Sequence, residues 1–269
     1  MEEIDLTVEA LRASVPEFLQ FYEKRPIRKN QFGMGINHSW ALWYLVSNLR
    51  PEFVVESGVW RGQSTWIIEN ASKKSQVYCF DVDLSNIIYK SSSAQYIERD
   101  FTQFDWSQHD ASQGLCFFDD HQNALQRLIH ANWLGFKHVI LEDNYPVGEG
   151  DCYSLKQIFA GVGATSLQMS RASSGSLVRR TKRRVKEKLI WSLGTRQDFL
   201  VSPNTWDREN LKKRIENYCE LPPLKLNSTS NWGTPYEGKF AASDPLVPNL
   251  AESDFDFSYH YITYLKYKN

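Results

Sequence analysis

The period of the apolar positions changes near residue 51, and that change divides the chain. Residues 7–23 carry Val8, Leu11, Val15, Phe18, Leu19 and Tyr22 at the spacing that lines one face of a helix. Pro26 ends the pattern. A polar, glycine-bearing stretch over 30–39 reads as a loop, with Ser39 as the cap of a helix over 40–49. Pro51 then introduces a first strand at 53–56. From there short apolar runs at 76–81, 95–100, 114–119 and 137–143 alternate with helical patterns at 63–71, 123–134 and 153–159. Such alternation predicts a mostly parallel sheet with crossover helices.

The pattern lapses over 161–235, which is rich at first in Gly, Ser and Thr and then basic over 179–188. Helical periodicity returns around 211–218, and residues 257–267 alternate like one long closing strand. The expected division is an N-terminal helical segment with a covering loop (1–50), a ligand-binding core (51–160), an insertion or lid (161–256) and a last strand of the core sheet (257–269).

Composition narrows the partners. The 269 residues carry a formal net charge of −1, so no global field favours nucleic acid. The basic run over 179–188 reads first as a solvated helix face, with an anionic substrate or a membrane surface as the other readings. The four cysteines are scattered with no Cys-x-x-Cys or Cys/His grouping, which argues against structural zinc. No apolar run approaches a membrane span, and the acidic start at Met1 lacks the features of a signal peptide. These features set the expectation of a cytoplasmic chain; the expected partner is a small hydroxylated molecule, and a homo-oligomer is left open.

The candidate chemistry lies at the strand ends. Every predicted core strand closes on an acid: Glu56, Asp81, Asp100, Asp119 and the pair Glu142 and Asp143. Ligands of open parallel sheets sit outside the carboxyl ends of the strands. After the first strand, Gly58 and Gly62 lie four residues apart and lead into a helix, so the turn is expected to approach a cofactor closely. Glu56 at the strand end and Ser64 in the helix's first turn join that candidate site. Asp81 is placed to take a ribose hydroxyl pair, and Asp100 an adenine amino group with Phe101 stacked on the ring. At the other end, Asp119, Asp120, Glu142 and Asp143 converge if their strands are neighbours. So much like charge calls for a cation, and oxygen donors with open positions suit Mg2+ or Mn2+. Asp119, Glu142 and Asp143 are the expected ligands, with Asp120 as the substitute for Asp119. The competing reading has these acids capping helices or pairing with arginines such as Arg127. His121 is the candidate base, His38 in the glycine-bearing loop the second, and Asn144 and Tyr145 are candidate substrate contacts. His260 and Tyr261 are assigned to packing.

Residues 53–160, with the closing strand at 258–267, resemble the core of the class I S-adenosylmethionine (SAM) methyltransferases. Glu56, Gly58 and Gly62 match that family's first motif, Asp81 its ribose-binding acid and Asp100 its adenine-side position. The resemblance implies a Rossmann-like α/β sheet of strand order 3-2-1-4-5-7-6 with an antiparallel last strand. The acids after the fourth and fifth strands resemble the metal-dependent branch that includes macrocin O-methyltransferase and cephalosporin-hydroxylase-like groups. There such acids hold the cation and a histidine soon after the first acid acts as base, the position of His121. His121 follows Asp120 directly, closer than in that pattern, so the ligand remains Asp119 or Asp120 and the base His121 or His38. The implied activity is metal-dependent O-methyl transfer to a small hydroxylated metabolite or sugar. The alternatives are a hydroxylase-like or NAD-dependent oxidoreductase on the same scaffold, or a non-catalytic SAM-binding module. The glycine spacing argues against NAD, and no two-histidine, one-carboxylate motif is evident.

Overall fold

The structure is a computed structural model, and it describes residues 1–30, 32–165, 199–201, 205–225, 228–230, 233–247 and 257–268. The basic run over 179–188 lies outside the described residues. Two helices open the chain. In α1 (Val8–Tyr22) Thr7 caps the N-terminus by accepting from the Ala10 N–H, and Leu11, Val15, Phe18 and Tyr22 form the buried face read from the spacing. Helix α2 (Ile36–Leu49) begins earlier than expected, with Gly35 rather than Ser39 at its N-cap. Asn37 and His38, read as loop because they are polar, instead form its first turn and are buried. Their partners lie far along the chain: Asn37 Nδ2 donates to Phe257 O at 2.8 Å, and its Oδ1 accepts from Leu224 N at 2.9 Å.

The core alternates as the sequence predicts: β1 (Phe53–Ser57), α3 (Gln63–Ala71), β2 (Gln76–Phe80), β3 (Gln95–Ile97), β4 (Gly114–Phe118), α4 (Ala124–Trp133), β5 (His138–Leu141) and α5 (Leu155–Phe159). Ser154 and Gln157 start α5 with a reciprocal capping box. A short antiparallel pair, β6 (Ala164–Thr165) with β7 (Phe199–Val201), stands apart from the main sheet. Helix α6 (Thr205–Arg214), β8 (Ile215–Glu220) and β9 (Thr263–Tyr267) follow. The helical spacing seen around 211–218 is therefore split: the helix stops at Arg214, and the next residues pair as β8 with β9. The closing strand is also shorter than its alternating pattern, because 257–262 lie outside the ladder.

The main sheet has seven strands in the order β3-β2-β1-β4-β5-β9-β8. The first five are parallel, β9 runs antiparallel to β5, and β8 antiparallel to β9. This is the order 3-2-1-4-5-7-6 that the resemblance implies, so the fold is the Rossmann-like sheet of class I methyltransferases. Alternate residues feed two cores. Val54, Leu115, Phe117 and Ile140 pack with α1, α2 and α3, while Val55, Cys116, Phe118, Val139 and Leu141 pack with α4 and α5. Among the described residues no helix is long and apolar enough to cross a membrane.

The two glycines after β1 are fixed by the chain itself. Gly58 has φ +96°, and a Cβ there would lie 2.2 Å from the Asp119 carbonyl oxygen. Gly62 has φ +87°, and its Cβ would lie 2.1 Å from Tyr89 O. The bare backbones thus admit neighbouring backbone, where the sequence reading reserved the space for a ligand. Gly58→Ala combines a disallowed φ with a backbone clash that displaces Asp119. It is expected to cost roughly 2–4 kcal/mol in denaturant unfolding.

Candidate functional site

The β1 end and its glycine loop come first. Strand parity places Glu56 on the same face as Val54, towards α3, and its side chain is fully buried. Its Oε2 accepts from Thr65 Oγ1 at 2.7 Å and Cys79 Sγ at 3.1 Å, and Ser64 also hydrogen-bonds to this carboxyl. Burial raises its pKa to about 7, against the pull of those three donors. Glu56 and Ser64 therefore face each other inside the core, not a ligand as expected from their position in the motif. Asp81 does stand at the β2 tip, but it braces the loop: its Oδ2 accepts from Val59 N at 2.9 Å and Trp60 N at 3.3 Å, and its Oδ1 from Asp83 N at 3.1 Å. Gln63, at the start of α3, was not singled out from the sequence. Its side chain is 3% exposed, and among the described residues neither its amide nitrogen nor its amide oxygen has a hydrogen-bond partner. The buried Trp60 Nε1 likewise has no partner among the described residues. Unsatisfied buried polar groups of this kind are costly unless a ligand completes them.

The adenine-side expectation meets an arginine. Arg127 reaches from α4 to both Asp100 Oδ2 and Asp120 Oδ2, at 2.7 Å each. Asp100 also caps the turn after it through Thr102. Burial raises the Asp100 pKa, but Arg127 and Thr102 outweigh it and hold the carboxyl below its ordinary value. Phe101 is fully buried, with its ring 5.1 Å from that of Phe118 and the Arg127 guanidinium 5.2 Å over its face. It belongs to the core and not to a stacking platform. Asp120 also accepts from Ser57 Oγ at 2.6 Å and Gln122 N at 3.2 Å. The arginine pairing weighed in the sequence reading thus holds for Asp100 and Asp120, and it makes Asp120 a poor substitute for Asp119.

Among the described residues, Asp119, Glu142 and Asp143 have no arginine or lysine counter-ion. They meet at the ends of β4 and β5 among imidazoles. Asp119, His121 and Asp143 can bring one ligand atom each within 4.8 Å of one another, and so can His38, Glu142 and His260. Asp143 joins the two groups: its Oδ2 is 2.8 Å from His121 Nδ1, its Oδ1 is 3.5 Å from His260 Nδ1, and it hydrogen-bonds to Glu142. Burial, with Asp143 and Asp119 as like charges, pushes Glu142 well above the usual carboxylate range. Asp119 rises for the same reasons, against the opposing pull of His121. Burial pushes Asp143 up as well, but His121, with hydrogen bonds from His260 and Glu142, holds it well below. His121 sits at φ +52°, a conformation that costs energy in a non-glycine residue, and its side chain is 45% exposed. Its Nδ1 also lies 3.2 Å from Asp151 Oδ1.

His38 is not in a loop. It is 2% exposed, its Nε2 accepts from the His260 backbone N–H at 2.9 Å, and its Nδ1 contacts Glu142 Oε1. Burial, reinforced by His260 and opposed by Asp143, lowers its pKa to about 3, so it is neutral at physiological pH. Asn144 is turned inward. It donates to Tyr218 Oη and Thr263 Oγ1 at 2.8 Å each, and its Oδ1 accepts from Lys156 N at 2.8 Å, tying β5 to α5 and β9. Tyr145 is buried against Gly150 and hydrogen-bonds to Asp143, joining the cluster instead of lining an open pocket. His260, assigned to packing, belongs to the cluster. So does Asp151, whose only signal was its place in a glycine-bearing turn. Residues 38, 142 and 260 bring two histidines and one carboxylate together, a grouping the sequence did not display, but both His38 nitrogens already hold hydrogen bonds.

The buried Glu56 gives a pH test. Its carboxyl keeps its proton to about pH 7 when folded and loses it near 4.5 in an unfolded chain. Its contribution is therefore fully present below the lower value and lost as pH rises through the upper one. The stability of Glu56→Gln relative to the parent is expected to rise between those values and then level off, by on the order of 3 kcal/mol in urea titrations.

No protein-family model matches the chain, and no curated protein matches it. Solved structures resemble parts of it. CmcI-N160 aligns at 22% identity and TM-score 0.35, over 44% of this chain and 57% of that one, so the match spans little more than half of CmcI-N160. The O-methyltransferase TomG from Streptomyces achromogenes, in complex with SAM, aligns at 12% identity and TM-score 0.40, over 70% of this chain and 80% of TomG. The O-methyltransferase from Bacillus cereus, in complex with SAH, aligns at 15% identity and TM-score 0.37, over 69% and 80%. At these scores the assignment of the fold rests on the strand order itself.

Proposed function

We propose that the chain is a SAM-dependent O-methyltransferase that uses Mg2+ or Mn2+ and acts on a small hydroxylated metabolite or sugar. The observation that carries this reading is the adjacency of two features. The glycine loop of β1 packs its Gly58 backbone on Asp119 O, and Asp119 clusters with His121 and Asp143, to which Glu142 is hydrogen-bonded. A donor at the loop and a cation at the acids would lie side by side.

The residues fit both groups. Gln63 and Trp60, in the glycine loop and at the start of α3, carry buried polar atoms with no partner among the described residues, suited to the polar end of a bound donor. Asp81 keeps the loop in place through its amide bonds. SAM, when bound, supplies an electrophilic methyl group. Asp119, Glu142 and Asp143 would hold the cation, since their raised and opposed pKa values mark carboxylates that share too little positive charge. A divalent cation there supplies charge neutralisation and acidifies a nearby substrate hydroxyl. His121 is the general base in this reading. It is the exposed imidazole of the cluster, and Asp143 and Asp151 hold its Nδ1 and so orient the ring. His38, the other candidate, is buried with both nitrogens engaged and is not suited to take a substrate proton. Alignment of hydroxyl and methyl supplies much of the remaining acceleration, roughly 7–11 kcal/mol for well-oriented pairs.

Calorimetry on the full chain tests the reading. SAM is expected to bind with micromolar affinity, while NAD gives no heat. Asp143→Asn should abolish Mn2+ binding and leave SAM affinity within about threefold. With labelled SAM and a panel of hydroxylated acceptors, His121→Ala should lower turnover by 10²–10⁴-fold without loss of SAM binding. Absence of SAM binding, or unchanged Mn2+ affinity in Asp143→Asn, would sink the proposal.

A further inference from the structure

The first turn of α2 reaches the carboxylate cluster with one side chain, and everything around that side chain is fixed. His38 Nε2 accepts a hydrogen bond of 2.9 Å from the His260 backbone N–H. A backbone amide can only donate, so in the neutral ring the proton must sit on Nδ1. Nδ1 faces Glu142 Oε1 and therefore donates to it. The ring plane is held by edge contacts with Tyr259 and His260, with centroids 5.4 and 5.6 Å away. The backbones on either side are tied down too. Asn37 bonds to Phe257 O and Leu224 N, and His260 O accepts from Asn144 N at 2.9 Å. Three segments distant in sequence thus specify one tautomer, one ring orientation and one donor aimed at one carboxylate.

Glu142 needs such a donor. It is buried next to the like charges of Asp143 and Asp119, and a carboxylate so placed is held in a fixed orientation only by a donor. With both His38 nitrogens engaged, the ring serves to orient a ligand and is not itself available as one. We propose that His38 is a positioning residue: its Nδ1–H sets the Glu142 carboxylate so that, with Asp119 and Asp143, it completes the divalent-cation site. This rests on the cation site argued above. Hydrogen-bond partners of metal-binding side chains typically change metal affinity by about 10–100-fold when removed.

Two amides separate positioning from simple structural support. His38→Asn places an amide N–H where Nδ1 stands and gives up the acceptor at Nε2. His38→Gln reaches the Nε2 place, where its oxygen can accept from the His260 amide, but leaves Glu142 without a donor. Mn2+ binding by electron paramagnetic resonance and SAM binding by calorimetry are measured on the full chain. His38→Asn is expected to keep the Mn2+ Kd within about threefold of the parent, His38→Gln to weaken it about 10–100-fold, and both to keep SAM affinity. Nitrogen-15 spectra of the parent should show the Nδ1–H tautomer, a readout that needs no variant. Parent-like Mn2+ affinity in His38→Gln, equal losses in both variants, or an Nε2–H tautomer would overturn the proposal. Asp119→Asn serves as the control. If it binds Mn2+ as tightly as the parent, or if the parent binds none, the cation reading itself falls and this inference with it.

Discussion

Three carboxylates that meet no guanidinium or ammonium among the described residues, packed into one corner at the ends of β4 and β5, set the terms for everything around them. Asp119 and Glu142 are pushed towards protonation while Asp143 is held ionised, so the corner cannot carry three negative charges unaided. Its immediate company is imidazole: His121, His260 and His38. On the neighbouring side, Arg127 bridges Asp100 and Asp120 and settles them as a structural ion pair. One arginine thus divides a continuous acidic rim into a neutralised part and a part that still calls for positive charge.

The sheet was legible in the sequence because its strands are dense, short apolar runs with turn residues between them. What escaped were elements defined by partners far along the chain. The start of α2 looks like loop because Asn37 and His38 are polar, and only their bonds to residues 224, 257, 260 and 142 make burial tolerable. Leu211, Ile215 and Tyr218 have ideal helical spacing, yet Ile215 to Glu220 pair with β9. An edge strand with one ladder neighbour can carry polar residues, and this erases the alternation that would have marked it.

The candidate site was legible as a set of positions and not as a set of roles. An acid at the end of an apolar run is visible in sequence, but the side chain it meets is not. Asp81 spends itself on loop amides, Asp100 and Asp120 on Arg127, and Asn144 on Tyr218 and Thr263. Glu56 could have been read more closely, since strand parity puts it on the face of Val54 and so towards α3. His260 carried no signal beyond its place in an alternating stretch, and its place in the cluster follows from its contacts with His38, Asp143 and Asn144. Gln63 was hidden in the motif itself, because a glycine pair draws the eye past the residue it delivers.

The position of β9 governs how the molecule can be made. It lies between β5 and β8 although it comes after both in the chain. During translation β5 therefore waits with one edge open, and β8 has no ladder to join, until residues 257–267 leave the ribosome. The same late segment carries His260, whose amide orients His38. Until β9 emerges, a nascent chain would thus hold an incomplete sheet and an unorganised acidic corner, exposed to chaperones and proteases.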